Sequence, residues 1–542
     1  MLVIALMFCG IELAAQAAEQ PKLVVGIVVD QMRQEYLYRY GAKFGPGGFK
    51  RMMNEGFMLT NAHYNYVPTY TGPGHASVYT GTTPAIHGII GNDWYDKNLK
   101  KMVNCVEDPD QKPVGSNGNG DVSPWRMLTT TITDEMKIAS QKRSKVISLS
   151  IKDRGAVLPG GHMADAAYWY DGSTGKFITS TYYRLTLPEW MDKFNEKNLA
   201  DQYLSQTWNT RLPIADYTES GPDDSPYEEI FNGKERPVFP YDLKVLRATN
   251  GNFAMLAETP FGNDLLLAAA RAALQGERLG KNTATDFLGI SFSSPDIIGH
   301  SFGPNSIEVE DTYIRLDQNL ADLFSILDAE VGRGKYIVFL TADHAVADVP
   351  QYLKDNKVPV DYQRRDTASY NTFLRKNFPG KQVIQNVSNN QVFLNQDLFQ
   401  GDPKTSGIDL LVAAESVASY IISQKGIAQV FTKGQLRQGS FDEEGPRGMV
   451  IRGFHPKRSG DIAYLTEPGW LSSSSTTGTS HGTPYSYDTH VPVLFFGAGV
   501  KPGSSSAYHP ITDIAPTLSV LLKIKFPNGC TGQPIRELID GK

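Results

Sequence analysis

The chain has 542 residues, of which 41% are hydrophobic and 20% are charged. This length and composition suit a globular protein of two or three average domains, or one large α/β domain with insertions. The formal net charge is −6, so the composition gives no reason to expect a nucleic-acid partner, and acidic side chains are instead expected to gather around cations.

The N-terminal segment resembles a secretory signal peptide. An apolar run over residues 2–11 precedes Ala15-Gln-Ala17, a small-residue motif of the kind at which signal peptides are cleaved. We therefore expect a signal peptide at 1–18, a catalytic domain at 19–542, and a periplasmic or secreted location. The run is too short to span a membrane, so no membrane anchor is expected. Cleavage would leave Cys105 and Cys530, whose pairing in a disulfide the sequence leaves open.

Short apolar runs predict the strands of the core. They lie at Leu23–Val29, 145–151, Asp286–Phe292, 335–340 and 491–496. Amphipathic or alanine-rich stretches predict helices at 49–56, 263–275, 306–330, 407–423 and 512–522. Because buried apolar strands alternate with helices, we expect an α/β fold with a mostly parallel central sheet that is flanked by helices on both faces.

Two long stretches interrupt this alternation. Residues of about 155–280 are rich in Tyr, Trp, Asp, Asn and Pro and contain only short apolar segments, which predicts an inserted, irregular cap region. Residues of about 349–469 predict a second irregular insertion. The expected organisation is therefore one catalytic domain with two insertions.

The segment from Val67 to Gly81 places a hydroxyl at the expected start of a helix. Its sequence is V-P-T-Y-T-G-P-G-H-A-S-V-Y-T-G; Pro73 suits the first helical turn, and Gly72 allows a ligand to come close to the backbone. Thr71 would then lie where free N–H groups and the helix dipole favour an anion, as a nucleophile for an anionic substrate requires. The alternative interpretation is an ordinary turn of threonine, glycine and proline.

Carboxylates and imidazoles follow the predicted strands. Ligands of open α/β sheets gather at the carboxyl ends of the strands, and oxygen and nitrogen donors without cysteine suit catalytic zinc. Two ions about 3.5–4 Å apart could contact both the attacking and the leaving oxygen of an in-line displacement. Taken singly, each of these residues is more often a cap, a core polar group or a surface side chain, so the prediction depends on their joint position. The set is Asp30, Asp296, His300, Asp343, His344 and His481.

The motifs that contain these residues resemble those of the alkaline phosphatase superfamily. Within it, they are most similar to the secreted type I phosphodiesterase/nucleotide pyrophosphatase-like branch and its PafA-type phosphate-irrepressible alkaline phosphatases. The resemblance covers nearly the whole mature chain, and the order and spacing of the motifs make it specific. The matching motifs are Val29-Asp-Gln-Met-Arg33, Pro68-Thr-Tyr-Thr-Gly-Pro-Gly-His75, Ile86-His-Gly-Ile-Ile-Gly-Asn92, Ile151-Lys-Asp-Arg154, Ser294-Pro-Asp-Ile-Ile-Gly-His300, Thr341-Ala-Asp-His344 and Ser480-His-Gly482.

The resemblance implies an alkaline phosphatase-like fold and a zinc-dependent phosphoric monoester hydrolase with two Zn²⁺ per chain. Thr71 would be the nucleophile that becomes a phosphothreonine. One zinc site would comprise Asp296, His300 and His481. The other would comprise Asp30, Asp343, His344 and the oxygen of Thr71. The phosphoryl group would be bound by Asn92, Lys152 and Arg154.

Lys152 and Arg154 bear on the choice of substrate. In an extended chain both side chains would point to the side opposite Asp153 and could meet the dianion of a phosphate monoester. We therefore expect small-molecule phosphate monoesters as substrates and a monomeric enzyme. Activity should rise toward alkaline pH, because histidine ligands must be deprotonated. The alternatives are a phosphodiesterase or nucleotide pyrophosphatase of the same fold and a non-catalytic phosphate-binding protein.

Three other histidines are kept apart from the ligand set. His75 and His87 lie within the matching motifs and are expected to hold loops in place. His490 follows Asp488 near the last predicted strand, where a role next to the metal ligands stays open.

Overall fold

The structure is a computed structural model that describes residues 20–118, 120–364, 366–399, 409–473 and 475–540. The predicted signal peptide at 1–18 lies outside the described residues. Among the helices that are described, none is both long and apolar enough to cross a membrane.

The strands of the described residues form one large sheet, one four-stranded sheet and two short pairs. The large sheet has the order β18-β2-β17-β12-β1-β11-β6-β7-β8-β5, and β19 also pairs with β2. In chain order the strands are β1 (Leu23–Val29), β2 (Phe57–His63), β3 (Asp93–Asp96), β4 (Lys101–Asn104), β5 (Pro113–Val114), β6 (Val146–Ser150), β7 (Ala166–Asp171), β8 (Lys176–Ser180), β9 (Thr207–Trp208), β10 (Tyr241–Asp242), β11 (Asp286–Phe292), β12 (Tyr336–Thr341), β13 (Ile384–Ser388), β14 (Gln391–Leu394), β15 (Ile427–Thr432), β16 (Ile462–Thr466), β17 (His490–Gly497), β18 (Gly503–Ser505) and β19 (His509–Pro510).

Five adjacent strands at the centre of the large sheet are parallel, namely β12, β1, β11, β6 and β7. Every residue of β1 and of β11 is buried, as expected for an apolar strand that is covered on both faces. The strand predicted at 491–496 is β17, which runs antiparallel to both β12 and β2. The predicted α/β class with a mostly parallel central sheet is confirmed, with antiparallel strands toward both edges.

Helices flank the large sheet and connect its strands. Those of the described residues are α1 (Tyr36–Arg39), α2 (Phe49–Glu55), α3 (Thr71–Thr80), α4 (Pro84–His87), α5 (Ile132–Ala139), α6 (Asp153–Gly160), α7 (Glu189–Glu196), α8 (Leu199–Tyr203), α9 (Leu243–Leu246), α10 (Phe261–Gly276), α11 (Ser294–Phe302), α12 (Ile307–Leu327), α13 (Pro350–Asp355), α14 (Thr367–Asn377), α15 (Leu410–Ile422), α16 (Lys433–Arg437), α17 (Gly445–Gly453), α18 (Ser486–Thr489), α19 (Ile514–Leu522) and α20 (Arg536–Asp540).

Helix α12 confirms the amphipathic stripe predicted at 306–330. The Ser306 side chain accepts a hydrogen bond from the backbone N–H of Val309 and so caps the start of the helix. The apolar stripe faces the core, because all of its members are buried. They are Tyr313, Leu316, Leu320, Leu323 and Leu327.

The region predicted as an irregular cap at 155–280 begins with elements of the core. β7 pairs in parallel with β6, and β8 pairs with β7 in the antiparallel sense. The first part of this region therefore extends the large sheet, which corrects the expected start of the cap. β7 was not predicted, because its sequence, A-A-Y-W-Y-D, combines small and aromatic residues and lacks an aliphatic run like that of β1.

The second predicted insertion, at about 349–469, contains a folded unit, which we name the inserted subdomain (the described residues from 366 to 466). Its antiparallel sheet has the order β13-β14-β16-β15. It buries an apolar core of its own, with members that include Phe378, Val392, Val417 and Ile462. The description as irregular is therefore wrong. β13 alternates between half-buried and exposed residues, so it has no apolar run to recognise.

The ends of neighbouring parallel strands bring the predicted site residues together. Asp30 follows β1, and Asp343 lies two residues beyond the end of β12. Asp296 lies in the first turn of α11, directly beyond β11. Lys152 follows β6, the next parallel strand of the sheet. The predicted site therefore lies at the carboxyl edge of the parallel section, the usual ligand position in such sheets.

Candidate active site

Thr71 is the first residue of α3, and its side chain is buried. The next backbone N–H group, that of Gly72, donates to Asn92 Oδ1 over 2.7 Å. Gly74 is required where α3 crosses the chain after β12, since a Cβ atom there would lie 2.2 Å from the carbonyl oxygen of Asp343. The hydroxyl of Thr71 therefore lies at the start of a helix, as predicted, and this helix packs closely against the chain that follows β12.

The first ligand group consists of Asp30, Asp343 and His344, which are all buried. Each offers a donor atom, and these atoms lie within 4.8 Å of one another. His344 Nε2 is 3.4 Å from Asp30 Oδ1 and 3.8 Å from Asp343 Oδ2. Thr71 Oγ1 lies 3.5 Å from the same ring nitrogen. The structure thus brings the predicted nucleophile and this predicted ligand set to one point.

The second ligand group centres on Asp296. His300 Nε2 is 3.2 Å from Asp296 Oδ1, and His481 Nε2 is 3.6 Å from the same oxygen. Asp296, His344 and His481 form a buried set whose donor atoms also lie within 4.8 Å of one another. The rings of His344 and His481 stack with centroids 3.5 Å apart. The two groups are therefore adjacent, and His344 lies between them.

Backbone carbonyls orient the three imidazoles. The Nδ1 atoms of His300, His344 and His481 lie 2.7, 3.0 and 2.7 Å from the carbonyl oxygens of Thr479, Ala345 and Thr69. A carbonyl only accepts, so each Nδ1 carries a proton, and each Nε2 faces the carboxylates, with a lone pair whenever the ring is neutral. Buried Asp30 Oδ1 has no hydrogen-bond partner among the described residues. Lone pairs that face carboxylate oxygens fit a shared cation, and this donor set suits zinc.

The carboxylates are crowded in a buried space. Burial raises the pKa of Asp30 well above its usual range, and Asp296 and Asp343 raise it further. Burial also acts to raise the pKa of Asp296, but His300 and Lys152 hold it well below its usual range. Like charges at this spacing are costly unless cations balance them.

The two fully buried imidazoles stay neutral. Burial lowers the pKa of His344, although Asp343 and Asp296 oppose the shift. Burial and the neighbouring His344 and His300 lower the pKa of His481 well below its usual range. Both rings can therefore offer a lone pair at neutral pH, as metal ligands must.

Lys152 lies between the two ligand groups. Its Nζ is 2.8 Å from Asp30 Oδ2 and also contacts Asp296 Oδ2. We expected Lys152, Asp153 and Arg154 to form an extended chain, and this expectation is wrong. α6 begins at Asp153 and places Arg154 in its first turn. Arg154 lies within electrostatic range of Asp30 and Asp296, and its Nε has no hydrogen-bond partner among the described residues.

Gln31, for which the sequence predicts no role, connects the two ligand groups. Its backbone N–H donates to Asp343 Oδ1 over 3.2 Å, and its Nε2 donates to Asp296 Oδ1 over 2.7 Å. The residue is buried and has a φ of 67°. Its side chain fits only because position 299 is Gly299, where a Cβ atom would lie 1.9 Å from Gln31 Oε1. The one sequence signal was its place in the motif that follows β1.

His75, which is not a predicted ligand, contacts both the nucleophile segment and the first ligand group. Its Nδ1 lies 2.9 Å from the carbonyl oxygen of Thr71 and 3.3 Å from Asp343 Oδ2. Its Nε2 lies 2.8 Å from Ser291 Oγ. The ring therefore fixes the first turn of α3 relative to β11 and to the first ligand group.

His87 and His490 have structural contacts. His87 Nδ1 accepts from the N–H of Ile89, and its Nε2 lies 3.0 Å from Ser77 Oγ, so this ring holds a loop against α3 as expected. His490 Nε2 donates to the carbonyl oxygen of Thr60 over 3.0 Å. Its ring stacks on that of His63. The open role of His490 next to the metal ligands therefore finds no support in these contacts.

The two described cysteines are free. Cys105 Sγ would lie 3.1 Å from a Cβ atom at Gly72, and Cys530 Sγ 2.7 Å from one at Gly81. These glycines mark the two ends of α3, a helix roughly 15 Å long. A disulfide needs Cα atoms within about 7 Å of each other, so the pairing that the sequence left open is not formed.

The fold and the site together define the class of protein. The model of the family "Type I phosphodiesterase / nucleotide pyrophosphatase" matches residues 24–490, and the chain belongs to this family. The chain is 45% identical to alkaline phosphatase PafA of Elizabethkingia meningoseptica over 528 residues, which cover 96% of this chain and 95% of that protein. It is 45% identical to alkaline phosphatase PhoV of Synechococcus elongatus over 534 residues, which cover 97% and 94%. The crystal structure of wild-type PafA matches with a TM-score of 0.92 and 45% identity, covering 97% of this chain and 100% of that one.

Proposed function

We propose that the chain is an alkaline phosphatase that hydrolyses small-molecule phosphate monoesters with two zinc ions and a phosphothreonine intermediate. The observation that carries the proposal is the position of Thr71 Oγ1 beside Asp30, Asp343 and His344, with Lys152 facing the carboxylates of both ligand groups. The names of the two relatives, both alkaline phosphatases, support the same reaction.

The two ligand groups would each hold one ion. Bound there, zinc would supply the Lewis acidity that makes the Thr71 hydroxyl reactive and neutralises the leaving oxygen. The protein contributes the orientation of the imidazoles through their Nδ1 hydrogen bonds. The residues would be Asp30, Asp343 and His344 for one ion and Asp296, His300 and His481 for the other.

Thr71 would act in two displacements. Its Oγ1 loses its proton to solvent and forms a bond to phosphorus as the bond to the alcohol oxygen breaks. The released oxygen takes a proton from solvent to give the alcohol, and Thr71 is left as a phosphothreonine. Water then attacks phosphorus from the opposite side, and the bond to Oγ1 breaks to release inorganic phosphate. Because Asn92 Oδ1 accepts from the N–H of Gly72, the Nδ2 group of Asn92 is the part of this amide that can donate to a phosphoryl oxygen.

Lys152 and Arg154 support a monoester over a diester. Burial acts to lower the pKa of Lys152, but Asp296 and Asp30 raise it above its usual range, so the ammonium stays charged. A bound monoester dianion brings one more negative charge than a diester and meets these two cations. The diesterase remains the second candidate, because the family description includes phosphodiesterases.

Single variants distinguish these two activities. Lys152→Ala and Arg154→Ala should each lower kcat/KM for an aryl phosphate monoester about 10- to 100-fold, since each removes a charge-assisted hydrogen bond of about 1.5–3 kcal/mol. The same variants should change kcat/KM for an aryl diester much less. Lys176→Ala is the matched control, because Lys176 is the one exposed residue of β8. Diester turnover that predominates in the wild type, with monoester turnover that survives both substitutions, would reverse the assignment.

The nucleophile and the metals have direct tests. Thr71→Ala should lower turnover by at least about a hundredfold, because no other hydroxyl takes the place of the nucleophile. Acid quenching of the wild type during turnover should yield a phosphorylated peptide that contains Thr71. Elemental analysis should give two zinc ions per chain, and activity should rise toward alkaline pH. Full activity of a metal-replete Thr71→Ala protein would refute the mechanism.

Export and oligomeric state complete the proposal. The segment at 1–18 supports secretion into the periplasm or the medium, and N-terminal sequencing of the exported protein would test it. A monomer is the proposed state, and sedimentation analysis would measure it.

A further inference from the structure

A cavity of about 690 Å³ lies between the inserted subdomain and the candidate active site. Tyr70, which directly precedes Thr71, forms part of its wall. The Tyr70 ring packs edge-on against the ring of His481, with centroids 5.5 Å apart. One wall of the cavity is therefore shared with the residues that surround the nucleophile.

A hairpin of the inserted subdomain provides a second connection. Asn389 and Asn390 form the two-residue turn between β13 and β14, and both have positive φ, 54° and 55°, as the preferred type I′ hairpin turn requires. Asn389 Nδ2 donates to the carbonyl oxygen of Asp93 over 2.5 Å. The turn is thereby fixed beside Asn92, so two independent contacts place the cavity next to the proposed phosphoryl position.

The lining of the cavity combines aromatic rings with amides. Within the wall, the Asp361 carboxylate pairs with the ammonium of Lys425 at 2.8 Å. The remaining charged side chains of the wall, Arg364 and Asp366, have opposite signs. With little net charge, the lining suits a neutral aromatic group that can also form hydrogen bonds. The residues that provide rings and amides include Tyr70, Tyr370, Tyr420, Tyr464, Asn389 and Gln424.

We propose that this cavity is the leaving-group subsite, and that the preferred substrates are phosphate monoesters of aromatic alcohols that carry hydrogen-bonding groups. The inference rests on the proposed function. With the phosphoryl group at Thr71, the aromatic group extends past Tyr70 into the cavity. The inserted subdomain then selects the leaving group, while the ligand groups at the strand ends perform the chemistry common to all monoesters.

A substitution that fills the cavity tests the subsite. Val387 lines the cavity from β13 and is 37% exposed, so Val387→Trp adds bulk there without entering the apolar core. Val412→Trp is the matched control, because Val412 is 67% exposed on α15 and is not among the lining residues. Val387→Trp should lower kcat/KM for 4-methylumbelliferyl phosphate about tenfold, in the range of a lost aromatic stacking contact. For ethyl phosphate, kcat/KM should stay within about twofold.

Inhibition constants give a readout that does not depend on leaving-group reactivity. Neither 1-naphthylmethylphosphonate nor methylphosphonate can be hydrolysed at its P–C bond. Val387→Trp should raise the inhibition constant of the first about tenfold and leave that of the second within about twofold, since only the naphthyl ring would enter the filled space.

The outcomes separate the subsite from the proposed function. Equal losses for the aromatic and the ethyl ester, or no loss for either, would overturn the subsite while monoester hydrolysis by the wild type still stands. An equal effect of Val412→Trp would overturn it as well. A metal-replete wild type that hydrolyses neither ester would overturn both proposals.

Discussion

Gln31→Met should weaken metal binding at one ligand group and leave the other unchanged. The backbone N–H of Gln31 holds Asp343 and is unaffected by the substitution, whereas its side-chain amide holds Asp296 alone. Methionine has nearly the same length and shape as glutamine and meets the same backbone conformation, with φ at 67°. The variant therefore removes one hydrogen-bonding group from one ligand group and leaves the packing against Gly299 nearly intact.

The size of the effect follows from the lost contact. The 2.7 Å bond from Nε2 to Asp296 Oδ1 is buried and charge-assisted, and such bonds contribute about 1.5–3 kcal/mol. Loss of a residue that orients a metal ligand typically costs about 10- to 100-fold in metal affinity. We expect this loss at the Asp296 group and little change at the group of Asp30, Asp343 and His344.

Zinc content measured after dialysis against a graded series of chelator concentrations provides the assay. Wild type should keep two ions over a range in which Gln31→Met keeps one. Gln275→Met is the matched control, because the exposed Gln275 amide also donates to a carboxylate, that of Glu330, at 3.0 Å. Loss of both ions together, or a wild-type release profile for Gln31→Met, would refute the role given to Gln31.

Three further predictions concern stability. Burial, with Arg458 and His455, lowers the pKa of His87 to about 3, below the usual 6.5 of the unfolded chain. The contribution of the neutral His87 ring to the free energy of unfolding is therefore complete above about pH 6.5 and is lost as the pH falls. His87→Gln should reduce the loss of unfolding free energy between pH 8 and pH 5 by about 2 kcal/mol, measured by urea denaturation, and an unchanged difference would contradict this. Chelation of zinc should lower Tm, and added zinc should restore it. At a hundredfold excess of zinc over Kd, one bound ion raises the free energy of unfolding by about 2.7 kcal/mol. A Tm that does not change with zinc would contradict the site. Leu320→Ala in α12 should cost about 2–5 kcal/mol, while the exposed neighbour Gln318→Ala should cost little.

The core strands were predictable because each carries its own signal. β1 and β11 are continuous apolar runs, and a run that is buried on both faces has few alternatives to a central strand. The direction of pairing has no such local signal. β17 has the same apolar character as β12 but lies antiparallel to it, because direction depends on how the intervening chain returns to the sheet.

The positions of the proposed ligands were predictable for a related reason, since Asp30 and Asp343 lie just beyond strands that the sequence identifies. Gln31 was not, because its role depends on a positive φ and on the absence of a side chain at Gly299, which approaches from α11. Arg154 was misplaced because nothing in the Lys-Asp-Arg sequence shows that the helix begins between Lys152 and Arg154.

The two proposals therefore assign chemistry and selectivity to different parts of the sequence. The proposed reacting groups come from short motifs at strand ends, whose positions the sheet determines. Much of the wall of the cavity comes from β13, β14 and α15, and the hydrogen bond from Asn389 to Asp93 and the ring of Tyr70 connect it to the site. If both proposals hold, relatives that share every motif around Thr71 should differ in leaving-group preference, because substitutions in the inserted subdomain alter the cavity without touching a proposed metal ligand.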